Sequence, residues 1–118
     1  YLSSITILIL LLQLTACGTL SSTTYINPAK SFVLGEGKHG AYTAKVKNVG
    51  NSEIELIQVN ESGNVFSLGT LKTKEGQTYR VAKNTRIQFK NKGEEQAVVK
   101  IKAKGDTKLS MGYTPNER

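Results

Sequence analysis

The sequence has no tryptophan, one cysteine, one histidine and two prolines in 118 residues. A lone cysteine cannot close a disulfide within the chain, so a domain built from it folds on packing alone. One histidine and one cysteine also fall short of the ligand sets that zinc and copper sites use. The late Met111 would suit a blue-copper centre, but the same count excludes one. Aromatic residues make up only 7% of the chain, and after residue 14 there is no long apolar run and no sustained helical period. The length leaves room for one domain, and the composition suits short strands joined by tight turns better than a helical bundle. Acidic residues are outnumbered, nine against sixteen Lys and Arg, for a formal net charge of +7. Such a surplus favours anionic partners in general and selects none of them.

The one apolar run spans residues 5–14, ITILILLLQL, and is followed by Thr15-Ala16-Cys17-Gly18. It is too short for a bilayer-spanning helix, which needs roughly 20 residues, and suits the core of a signal peptide. Leu14 does not fit the small-residue pattern of ordinary cleavage after Ala16. Leu14-Thr15-Ala16-Cys17 instead resembles the lipobox of bacterial lipoproteins. That resemblance covers about the first eighteen residues and implies diacylglyceryl transfer to the Cys17 thiol, followed by cleavage before it. It also implies an address: the bacterial cell envelope, lipid-anchored, with an outer membrane favoured because Gly18 stands where Asp would signal inner-membrane retention. The chain opens at Tyr1 without Met or a basic stretch, so further residues are expected ahead of it.

On this reading residues 1–16 are an incomplete lipoprotein signal peptide. Residues 17–30 are the lipidated cysteine and a Ser/Thr-rich flexible tether, with Tyr25 and Ile26 as an alternative short strand. Residues 31–118 are the folded domain, in which the period is two. Tyr42, Ala44 and Val46 alternate with Thr43, Lys45 and Lys47, and Ile54 and Leu56 alternate with Glu53 and Glu55. The alternation predicts a hairpin around Asn48–Asn51, with Lys47 opposite Glu53 and Lys45 opposite Glu55. Further short strands, separated by Gly/Asn turns, follow to Met111 and Tyr113. The expected fold is all-β: a small antiparallel sandwich of about seven strands, immunoglobulin-like, with a small barrel as the alternative. Val46-Lys47-Asn48-Val49-Gly50 and Phe89-Lys90-Asn91-Lys92-Gly93 share a pattern. It fits either common turn chemistry or two equivalent hairpins.

Catalytic chemistry finds little support. His39, in Gly37-Lys38-His39-Gly40, reads as a solvated turn residue, and no Ser sits in a Gly-x-Ser-x-Gly elbow. Glu94 and Glu95 should point to opposite faces, and Glu53 and Glu55 should meet lysines. No catalytic residue, metal or cofactor is expected. The remaining feature is basic: Lys100, Lys102 and Lys104 line one face of one strand, with Lys90 and Lys92 expected nearby. That row could meet an envelope protein or an anionic envelope polymer; otherwise it solvates a face and protects an edge strand. Nucleic acid is disfavoured, because aromatics do not interleave with the lysines and the compartment is wrong. The sequence therefore points to a membrane-anchored interaction or structural module. The alternative is a periplasmic inhibitor or ligand-binding module. Residues Lys74-Glu75-Gly76-Gln77-Thr78-Tyr79-Arg80 are dimly similar to the inhibitory loop of periplasmic lysozyme inhibitors, but lack its Ser before Gly.

Overall fold

The computed structural model describes residues 18–116, so the signal segment and Cys17 lie outside the described residues. Nine strands follow in order: β1 (Thr19–Ile26), β2 (Lys30–Leu34), β3 (Tyr42–Asn48), β4 (Ile54–Val59), β5 (Val65–Leu71), β6 (Gly76–Val81), β7 (Arg86–Asn91), β8 (Ala97–Gly105) and β9 (Met111–Pro115). They form a four-stranded sheet, β1-β8-β3-β6, and a five-stranded sheet, β5-β4-β7-β2-β9, antiparallel throughout. One apolar layer lies between them, built from alternate residues such as Ile26, Leu34, Val46, Leu56, Phe89, Val99 and Ile101. Period-two alternation produces this directly, since one face of each strand is apolar and must be covered.

The expected sandwich is present and neither sheet closes into a barrel, but the strand order is not immunoglobulin-like. Immunoglobulin sheets pair sequence neighbours, whereas here β4 and β5 are the one consecutive pair. The others nest around it: β3 with β6, β2 with β7, and β1 with β8. The first eight strands are thus one long hairpin with its tip at Asn60–Asn64. Successive rungs are shared alternately between the two sheets. That is jelly-roll topology, with β9 added beside β2.

Two sequence-based expectations are corrected. The tether is a strand: Thr19–Ile26 pairs with β8 along its whole length, from Thr19 opposite Lys104 to Ile26 opposite Ala97. Its inward positions include Thr24 and Ser22, whose hydroxyls satisfy each other at 2.8 Å. The Lys47–Glu53 hairpin does not form, because β3 and β4 belong to different sheets. The chain between them turns a corner around the side chain of Asn48. This buried amide donates to Ser52 O (2.8 Å) and Leu71 O (3.0 Å) and accepts from Gly50 N (3.0 Å).

Asn91 does the same where β7 crosses to β8, donating to Ile26 O and Glu95 O (both 2.8 Å) and accepting from Gly93 N (2.9 Å). The strands that supply Ile26 O and Leu71 O end in matching turns, Asn27–Lys30 and Lys72–Glu75. Their third residues, Ala29 and Lys74, both have positive φ, 63° and 72°. The repeated apolar-Lys-Asn-x-Gly pattern therefore marks two equivalent corners, not hairpins. Both glycines are needed for close approach: a β-carbon on Gly50 would lie 2.9 Å from Val98 N, and one on Gly93 would collide with Ser52 Oγ.

Candidate functional site

Inward residues of β8 are apolar, which leaves the other parity to solvent. On β8 the outward positions are Val98, Lys100, Lys102 and Lys104, and the three lysines are exposed. Registry sets their neighbours. Lys100 lies between Thr23 of β1 and Lys47 of β3, and Lys102 between Ser21 and Lys45. Lys104 lies between Thr19 and Thr43, and Thr43 is opposite Arg80 of β6. Six cationic side chains, Lys45, Lys47, Arg80, Lys100, Lys102 and Lys104, thus share one sheet face with hydroxyl residues, and no acidic residue occupies any of its paired positions. The carboxylates nearest in sequence are engaged elsewhere: Asp106, two residues past Lys104, accepts from Gly40 N at 2.6 Å and Lys108 N at 2.9 Å, and Glu75 accepts from Lys72 N at 2.6 Å.

Lysines directly opposite lysines destabilise a sheet, and no solvation requirement explains placing two such pairs side by side. Edge protection does not explain them either. The strand that carries Lys100, Lys102 and Lys104 is internal, covered on both sides by β1 and β3. Between Ser21, Thr23, Lys45, Lys47, Lys100 and Lys102 lies a shallow depression of about 440 Å³. A depression of about 400 Å³ on the other sheet contains Glu36 together with Arg86, so both signs of charge meet there.

Lys90 and Lys92 do not join this row. Lys90 is on β7 in the five-stranded sheet, opposite Glu55 and Ser31. Lys92 sits in the corner beyond it, its backbone N–H bonded to Glu53 O at 3.1 Å. The displacement follows from the strand order, because β7 and β8 are consecutive but lie in opposite sheets. Lys45, Lys47 and Arg80 take the expected places of Lys90 and Lys92. Sequence periodicity alone places Lys45 and Lys47 on an outward face; it does not supply their partners across the sheet.

The other titratable groups serve the framework. His39 is tied down: its Nδ1 lies 2.7 Å from Gly40 O, its Nε2 3.0 Å from Thr85 O, and its ring packs edge-on against Tyr42 at 5.4 Å. Burial pushes the Tyr42 phenol well above its ordinary pKa, and its hydroxyl has no hydrogen-bond partner among the described residues. Backbone N–H groups of Gly40 and Lys108 hold the Asp106 carboxyl below the usual carboxylate range, and the nearby charges of His39 and Lys108 add to this. Residues Lys74 to Arg80 form a corner and the edge strand β6 rather than a projecting inhibitory loop. Among the described residues no three His, Cys, Asp or Glu side chains gather as a metal cluster would require.

No family model and no curated protein matches the chain. Solved structures that resemble it in fold include two of unrelated origin. One is the capsular polysaccharide assembling protein CapF from Staphylococcus aureus, with a TM-score of 0.57 at 10% identity, covering 85% of this chain and 27% of that one. The other is the Yersinia pseudotuberculosis-derived mitogen, with a TM-score of 0.50 at 14% identity, covering 83% of this chain and 97% of that one. The chain therefore spans about a quarter of the CapF chain and nearly all of the mitogen. At these identities the likeness is one of fold alone.

Proposed function

We propose that the protein is a lipid-anchored, non-enzymatic module of the bacterial cell envelope that holds a polyanionic partner against the outer face of its four-stranded sheet. One observation carries the reading: six cations share that face with no acid among them, and Lys45 and Lys47 stand directly opposite Lys102 and Lys100. A sheet accepts that repulsion where a bound anion relieves it, and a flat array of spaced ammonium groups suits a repeating anionic polymer. The lipobox resemblance at Leu14–Cys17 supplies the anchor and the compartment. Acyl chains on the cysteine and a basic surface would act together, one fixing the location and the other selecting the partner.

The test uses the full chain in detergent, titrated calorimetrically with long-chain inorganic polyphosphate. Binding should weaken steeply with salt, and replacing Lys45, Lys100 and Lys102 together by Gln should weaken it about tenfold or more. Replacing Lys90 and Lys92 by Gln removes charge from elsewhere and should change it little. Equal losses in the two variants would reduce the face to plain net charge and overturn the proposal. Mass spectrometry of the same protein, purified from membranes, should find acyl groups on Cys17; an unmodified thiol there removes the anchor.

A further inference from the structure

We infer that the cleft between the edges of β1 and β9 is a pyranose-binding subsite, and that the polyanion is an acidic polysaccharide. This rests on the basic-face reading above and narrows it.

Two tyrosines border the cleft, Tyr25 on β1 and Tyr113 on β9, and they are among the most exposed large side chains described, 54% and 60% accessible. Tyr113 is not a loose side chain. Its ring meets Phe32 edge-on at 5.5 Å, which fixes the plane of the ring while leaving most of it in solvent. Phe32 in turn packs on Phe89 in the core, at 5.9 Å. A held, solvent-facing aromatic ring suits the C–H face of a sugar ring, whose polarised hydrogens meet the negative face of the aromatic quadrupole.

The polar lining fits the same ligand. Gln96 Nε2 donates to Asn27 Oδ1 at 3.0 Å and so orients both amides. Asn27 Nδ2 and Gln96 Oε1 take no other partner among the described residues, which leaves an oriented amide NH2 as donor group and a carbonyl oxygen as acceptor for neighbouring sugar hydroxyls. Lys30 adds a cation for a ring carboxylate. The cleft measures about 370 Å³, within the range of small-molecule sites.

The cleft also continues the basic face. Tyr25 has the outward parity of Ser21 and Thr23, and Thr23 lies opposite Lys100. A polymer seated on Tyr25 reaches the lysine row within two residues of strand, ~7 Å. Polyphosphate would use the lysines and leave the cleft empty. A nucleic-acid strand would call for aromatics interleaved with the lysines, whereas these two tyrosines flank one cleft at the end of the row.

The experiment compares polygalacturonate, alginate and hyaluronate with long-chain polyphosphate and oligo-dT, all against the full chain in detergent. At least one acidic glycan should bind. Tyr25→Ala with Tyr113→Ala should weaken it about tenfold, the order that an aromatic stacking contact contributes. The same change should leave polyphosphate binding within about twofold. Asn27→Ala with Gln96→Ala, both at exposed positions, should reproduce the selective loss and guards against a misfolded tyrosine variant. Glycan binding indifferent to both variants, or no binding of any of the three, overturns the subsite while polyphosphate binding keeps the basic face. Failure of every polyanion overturns both. Tighter binding of oligo-dT than of any glycan overturns the polysaccharide in favour of single-stranded nucleic acid.

Discussion

Asn48 and Asn91 are the residues on which the connections between the two sheets depend. Each buries a primary amide that satisfies two carbonyls and one N–H which would otherwise be stranded at a corner. Asn48→Ala or Asn91→Ala should therefore cost about 3 kcal/mol, read from the urea midpoint, since more than one buried polar group loses its partner. Asn91 has the further load of Ser52 Oγ, which donates to it at 2.6 Å. Both residues stand out in the sequence as a repeated Asn-x-Gly, but turn chemistry explains that motif equally well, and only the burial of the side chains separates the two accounts. Asp106 makes a prediction of a different kind. Its carboxylate accepts from Gly40 N at 2.6 Å and Lys108 N at 2.9 Å, and these bonds depress its folded-state pKa. A depressed pKa contributes stability that is present above the unfolded value, ~3.9, and is lost as pH falls through the lower folded value. Asp106→Asn should lower the thermal midpoint at neutral pH, and the gap from wild type should narrow on acidification below pH ~4. His39 was legible as a turn residue, but its bond to the Thr85 carbonyl was not, because Thr85 lies 46 residues away.

At the scale of elements, β1 and β8 show what alternation can and cannot disclose. In β8 the apolar positions Ala97, Val99, Ile101 and Ala103 announce a half-buried strand, and the lysines between them face out as expected. In β1 the inward positions are Leu20, Ser22, Thr24 and Ile26, so the apolar signal is diluted and a Ser/Thr-rich strand resembles a tether. β-branched threonines suit a pleated strand all the same, and the Ser22–Thr24 hydrogen bond offsets the loss of water. Strand partners are the other gap. Charge and proximity in sequence match Lys45 and Lys47 to Glu55 and Glu53; the sandwich gives them Lys102 and Lys100 instead. A charge reversal exposes what this arrangement costs. Lys102→Glu, opposite Lys45, should raise stability by about 0.5 kcal/mol, as a repulsive cross-strand pair becomes attractive. The same substitution should weaken polyphosphate binding. A variant that gains stability and keeps full binding would mean that the lysines have no ligand to serve.

For the whole molecule, a two-layer antiparallel fold was legible because period two leaves each strand with one apolar face, and two such faces cover each other. The nesting of the strands was not. Sequence neighbours are the cheapest to pair, and only the β4–β5 tip obeys that rule here. The basic face inherits the same difficulty, since its cations come from β3, β6 and β8, separated in sequence by as many as fifty residues or more and joined only by the roll. The first strand then has a mechanical consequence. It starts two residues after Cys17, a span of ~7 Å at full extension. Acyl chains on that cysteine would leave the domain no slack, planted on the bilayer by the Thr19 end of β1. Tyr25 lies six residues further along the same strand, ~20 Å from the foot. The strand would then serve as a rigid stilt, setting the height above the lipid at which the tyrosine cleft can meet a polymer strand.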